Sequence, residues 1–157
     1  MESNKNMEAE RALLSSIFIE DHALSEVPKL RPKHFGYKHH QNIFRVILVL
    51  SGDDKPHFDP VLLSDILLKQ GLLKKSGGLS YLYELVEYIP TAVHVKHYAQ
   101  IVMDLYGVRE VKKASEKIIK DSNLETFNPA FEALEALRTE LEQDKVPSGR
   151  PGQGQQA

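Results

Sequence analysis

The sequence predicts an all-α fold, a compact helical head followed by a long helical hairpin, and three observations carry that prediction. Apolar residues recur at intervals of three and four, and no clean period-two run bounded by turn signals appears. The breakers Gly71, Gly77-Gly78 and Pro90 fall between these periodic runs rather than inside them. From about Val93 to about Asp121 no proline interrupts the pattern, which makes roughly 40 Å of helix at ~1.5 Å rise per residue, more than a small head needs.

A chain of 157 residues is long enough for one ordinary domain and too short for two. Its 41% hydrophobic and 27% charged residues are those of a soluble globular protein, and no apolar run approaches the ~20 residues of a membrane span. The absence of cysteine and of a basic segment leading into an apolar one points to a reducing, cytoplasmic setting. A net charge of −2 provides no global field for nucleic acid, so any DNA contact is expected to be local and weak or indirect.

The first helix is expected from Met7 to Ile19, with Asn6 as its cap and Ala9, Leu13, Leu14, Ile17 and Phe18 on its apolar side. A short second helix carries Ala23, Leu24, Val27 and Leu30 and is limited by Arg31-Pro32. Phe35 anchors the next loop. A third helix from about Lys38 to Leu50 bears Ile43, Phe44, Ile47, Leu48, Val49 and Leu50, apolar on most sides and so central to the core. Asp59-Pro60 reads as an N-cap followed by proline in the first turn, where its missing N–H costs nothing. Leu62, Leu63, Ile66 and Leu67 then face inward until Gly71 stops the helix. Beyond Gly77-Gly78, Leu79, Leu82, Leu85, Val86 and Ile89 form the stripe of another helix, ended by Pro90, with Thr91 capping the long helix that follows.

On that long helix Ile101, Leu105, Val108, Val111, Ser115 and Ile118 recur at close to 3.5 residues, the spacing of a seam against a second helix. Asn128-Pro129 repeats the cap-plus-proline device, and Phe131, Leu134, Leu137 and Leu141 give the last helix a matching seam. Arg109, Lys112, Lys113, Lys117 and Lys120 load the first arm, whereas Glu132, Glu135, Glu140, Glu142 and Asp144 load the second. Such charges help to select the pairing and apolar burial holds it. The boundaries are therefore a head at 7–90, a hairpin at 93–145, and a linker without a core at 146–157. The seam residues Ile101, Leu105, Val108, Val111, Ile118, Phe131, Leu134, Leu137 and Leu141 are the candidate self-association interface, because an arm that overshoots its domain leaves apolar surface exposed. The alternative is that the hairpin folds back on the head.

No catalytic, cofactor or metal site is legible. No G-x-x-x-x-G-K-[ST] loop is present to cradle phosphates, and Gly77-Gly78 is followed by Leu79 and Ser80 without the lysine that would reach them. His94 and His97 lie one turn apart and His39-His40 are adjacent, but no further ligand completes either set, so solvated or loosely packed histidines are expected. The acidic residues are expected on helix surfaces and the serines lack a strained elbow, so no nucleophile–base–orienter set forms. The basic arm from Arg109 to Lys120 is diluted by Glu110 and Glu116 and lacks stacking aromatics.

Taken in order, Glu8-Ala9-Glu10 with Leu13-Leu14, Phe35 followed by His40 and Ile43-Phe44, Pro56 and Asp59, Gly71 before Leu73, Gly77-Gly78 with Tyr81-Leu82 and Leu85, Pro90-Thr91, Tyr98-Ala99 with Ile101-Val102, and Arg109 resemble the N-terminal domain of DnaB-type replicative DNA helicases. The resemblance covers nearly the whole chain up to about residue 122, and its specificity lies in order and spacing. The chain departs from that pattern at His34-Phe35-Gly36, where the family usually has Asp-Phe-Tyr, in an extra residue between Pro56 and Asp59, and at Leu62, where threonine is common.

The resemblance implies a collar domain acting in DNA replication. Subunits dimerise through their hairpins, three dimers form a collar on the hexameric ring, primase docks there through its helical C-terminal domain, and loader proteins also engage the helicase. ATP and Mg belong to a separate RecA-like C-terminal domain, so no cofactor and no catalysis are expected in this fragment. Competing readings are the helicase-binding C-terminal domain of a primase, against which the Gly77-Gly78 to Tyr81-Leu82 and Tyr98-Ala99 spacings argue, and a stand-alone helical DNA-binding module. An enzyme with a cryptic site is a third.

Overall fold

A computed structural model describes residues 4–52, 57–88, 94–121 and 124–143. Among them every regular element is helical: α1 (Met7–Ile19), α2 (Lys38–Leu50), α3 (Pro60–Lys69), α4 (Gly78–Glu87), α5 (Val95–Asp121) and α6 (Leu124–Gln143), with 3-10 turns at Asp21–Glu26, Pro32–His34 and Lys74–Ser76. Among the described residues no helix is long and apolar enough to cross a membrane.

The helix ends follow from local chemistry. Asn6 accepts from the Ala9 amide at 2.9 Å and starts α1. Asp59 accepts from the amides of Val61 and Leu62, with Pro60 in the first turn of α3. Gly71 (φ +67°) and Gly77 (φ +94°) take the left-handed conformation that ends a helix without a Cβ penalty. The segment expected as a second helix is a 3-10 turn followed by a loop, short because Pro28 and Pro32 leave no room for a sustained ladder.

One core holds α1 to α4 and the first half of α5 together. Leu13, Leu14, Ile17, Phe35, Ile43, Phe44, Ile47, Leu63, Leu67, Leu82 and Leu85 are fully sealed, each worth ~1.5–3 kcal/mol by its burial. The Phe35 ring packs 5.0 Å from that of Phe44, which is how it anchors its loop. Val95, Ala99, Val102 and Met103 of α5 belong to the same cluster, so the core continues across the boundary expected at 90–93. Pro90, Thr91 and the 146–157 segment lie outside the described residues.

Three inward assignments are corrected. Val49 is 62% exposed while Val46, not expected in the core, is fully buried, because the face of α2 that turns inward runs through 43, 46, 47 and 50. Leu62 and Leu79 are exposed for the same reason of register, since Leu63 with Leu67 and Leu82 with Leu85 already fill the inner faces of α3 and α4. The start of α6 also differs: the helix begins at Leu124, one turn before Asn128-Pro129, and carries Pro129 inside it. Phe127 and Phe131, one turn apart with rings 6.0 Å from each other, hold that turn helical. Pro129 forgoes the bond its N–H would make four residues back, and its ring crowds the carbonyl there, the usual cost of a proline inside a helix.

Candidate interaction surface

Helices α5 and α6 pack against each other as a hairpin whose helices approach closely where a side chain is missing. A Cβ on Gly107 would lie 2.7 Å from Cδ1 of Leu141, so glycine at this point lets Leu141 lie on the α5 backbone. Along one face an open groove of about 760 Å³ runs between the two helices. Its lining includes Val108, Val111, Phe131, Leu134, Leu137 and Leu141, with Lys112, Glu135, Arg138 and Glu142 among the charged residues beside them. Val108, Val111 and Phe131 are 54%, 48% and 51% exposed, a run of apolar surface that the chain leaves open to water.

The nine expected interface residues therefore divide. Six gather in the groove. Ile101 packs against the head core, Leu105 is half-buried outside the groove lining, and Ile118 lies half-buried near the far end of α5. Leu141, although in the groove, also packs on Gly107 of its own chain. Phe127, 43% exposed, was missed; the sequence signal was its four-residue spacing from Phe131, hidden by reading Asn128 as a cap.

The arm charges pair differently from the expected cross-arm pattern. Lys112 meets Glu116, Lys113 meets Glu110 and Arg138 meets Glu142, each pair along its own helix. Glu140 reaches the head at Lys33, 3.4 Å away. The longer reach across two arms costs more side-chain entropy than these local pairs return.

At the base of the arm lies a buried polar network that the sequence did not reveal. Glu10 and His40 are 2% and 0% exposed, so Glu10 is not on a helix surface and His40 is not loosely packed, contrary to expectation. Glu10 Oε1 accepts from the Gly36 amide at 2.5 Å, and Oε2 lies 2.6 Å from His40 Nδ1 and 3.4 Å from the Tyr37 amide. A carboxylate in that position only accepts, so His40 donates from Nδ1, and its Nε2 meets the Tyr81 hydroxyl at 2.7 Å. Burial pushes the Tyr81 phenol up to about 12, with nearby Glu84 and Glu10 adding to the effect and Arg11 opposing it. His39, beside this network, is lowered by its burial and by His40.

Arg109 on α5 completes the joint. Its Nη1 donates to the Asn4 carbonyl at 2.9 Å and its Nη2 to the His34 carbonyl at 2.6 Å. Burial lowers its pKa, partly offset by Glu10, Glu110 and Tyr106. Gly36 leaves the space these groups need: a Cβ there would lie 2.6 Å from Lys5 Cγ and 3.1 Å from both Arg109 Nη1 and Glu10 Oε1. Glu10, His40, Tyr81 and Arg109 all belong to the motif pieces that carry the resemblance, and here they converge from α1, α2, α4 and α5. Glu10 and His40 are closed off from solvent while Tyr81 and Arg109 are partly buried, and their hydrogen bonds tie α1, α2, α4 and α5 together at the root of the arm.

Comparison with known proteins agrees with this architecture. A family model described as the DnaB-like helicase N terminal domain matches residues 2–104. The replicative DNA helicase DnaC of Bacillus subtilis (strain 168) is 37% identical over 120 residues, which cover 74% of this chain and 26% of that protein. The replicative DNA helicase DnaB of Geobacillus stearothermophilus is 34% identical over 120 residues, with the same coverage. The chain thus spans about a quarter of the length of these relatives. Among solved structures, the N-terminal domain of DnaB helicase from Mycobacterium tuberculosis superposes with a TM-score of 0.77 at 27% identity, covering 86% of this chain and 99% of that one. A DnaB-like replicative helicase, described together with its interactions with primase, gives a TM-score of 0.66 at 25% identity, covering 92% and 32%.

Proposed function

The chain belongs to the DnaB-like helicase N-terminal domain family, and from that premise we propose that it serves as a non-catalytic collar of a hexameric replicative helicase, self-associating through its hairpin and docking primase. The observation that carries this reading is the open apolar groove along α5 and α6, with Val108, Val111 and Phe131 about half exposed. Surface of that kind on a small domain is best accounted for by a partner that covers it, and a second copy supplies a groove of the same shape. Two hairpins packed in this way form a dimer, and three dimers form the collar. ATP and Mg then act in the part of the helicase that lies beyond this domain, and the domain itself needs no cofactor.

Docking of primase rests on the likeness to the helicase described with its primase interactions. Loader engagement follows from the family resemblance alone, and direct contact with DNA is weak or indirect because the net charge is only −2. Sedimentation of the 157-residue chain with a primase C-terminal domain tests the docking. A co-sedimenting complex supports it, and two independently migrating species contradict it.

A further inference from the structure

The hairpin is held to the head in two different ways. Helix α5 is fixed by the shared core, by Arg109 donating to the His34 carbonyl, and by the His34 ring lying 4.9 Å from that of Tyr106. The end of α6 meets the same 29–34 segment of the head through exposed charges, beside Leu141, which packs against the edge of the core. Lys33 Nζ is 3.4 Å from Glu140 Oε1, with the two side chains 52% and 44% exposed, and Lys29 Nζ donates to the Gln143 carbonyl at 3.3 Å. The His34 ring also faces Glu140, Nε2 to Oε1 being 3.8 Å. Lys29 therefore places a cation on the carbonyl end of α6, where the helix dipole favours it.

We infer that this set is an electrostatic latch: the 29–34 segment clasps the last turns of α6, and its release frees the end of α6 while α5 stays in place. The asymmetry carries the inference. Exposed pairs are weak singly and are screened by salt, with a Debye length of about 8 Å at physiological ionic strength, whereas the core is not and the part-buried Arg109 contact is screened less. Lys113, Lys117 and Glu110 of α5 line the same face as Glu140 and set the local field against which Lys33 competes. The inference is independent of self-association, since each of its contacts lies within one chain.

The chain contains no cysteine, so introduced cysteines are the sole labelling sites. Spin labels at Lys75 and Thr139 report the distance from head to α6, and labels at Lys75 and Glu116 report that from head to α5. Labelled protein is diluted with unlabelled chain so that only pairs within one chain are read. At low salt the first distance is narrowly distributed, and it broadens at ~1 M salt, where the Debye length is ~3 Å. Lys33→Gln and Glu140→Gln each broaden it at low salt, and the double variant broadens it no further than Glu140→Gln alone, since Glu140 is the shared partner of Lys33 and His34. The second distance stays narrow throughout. Single variants that match the parent, effects that add in the double variant, or broadening of the α5 distance would each overturn the latch.

Discussion

Glu10 Oε2 lies 2.6 Å from Nδ1 of His40 with both side chains closed off from solvent, which joins α1 to α2 beneath the root of the long arm. Removing one member leaves the other buried without its partner, a loss of roughly 3–5 kcal/mol. Glu10→Ala and His40→Ala should each lower the urea midpoint accordingly, while Tyr81→Phe, which deprives only His40 Nε2, should cost about 1–3 kcal/mol. Equilibrium denaturation checks this, and a loss below ~1 kcal/mol in Glu10→Ala would show that the pair does not hold the joint.

Tyr81 makes the fold sensitive to alkali. Its phenol is raised from the ordinary value of 10.0 to about 12, chiefly by burial. The folded state thus retains the proton that the unfolded state gives up first. This contribution is fully present below about pH 10 and is lost as pH rises from 10 through 12. Stability measured across that window should decline less steeply in Tyr81→Phe than in the parent; equal slopes would contradict the assignment.

Gly71 and Gly77 share a left-handed backbone but differ in what surrounds them. A Cβ on Gly71 meets nothing within 4 Å, whereas one on Gly77 would lie 2.7 Å from the Tyr81 Cβ. Gly71→Ala should therefore cost only the ~1–2 kcal/mol of the left-handed conformation, and Gly77→Ala distinctly more. Thermal denaturation ranks the two, and equal losses would mean that the Tyr81 side of α4 yields without cost.

The helices and their caps were readable from sequence wherever the signal is local. Asn6, Asp59-Pro60, Gly71 and Gly77 act through their own residue type and immediate neighbours, so their roles survive folding unchanged. Which apolar residue turns inward was less readable. Val46 and Val49 are chemically alike, and only the placement of α1 and α3 against α2 decides that the first is sealed and the second exposed. The Glu10–His40–Tyr81 chain was invisible because its members are far apart in sequence, and because glutamate ordinarily faces water while histidine and tyrosine are buried only about as often as not. The groove was legible through its heptad-like spacing, yet Ile101 and Leu141 show the limit of that signal. A seam residue can be used up within its own chain, by the core in one case and by the gap at Gly107 in the other.

The account turns on the hairpin groove as a self-association surface, and light scattering of Val108→Glu/Phe131→Glu beside the parent chain tests it most directly. Both positions are about half exposed, so the double variant should keep its helical signal and its fold. The parent should show a multiple of the 17.8 kDa chain mass and the variant a single chain. A parent that is monomeric at the concentrations used, or a variant of unchanged mass, would contradict the claim.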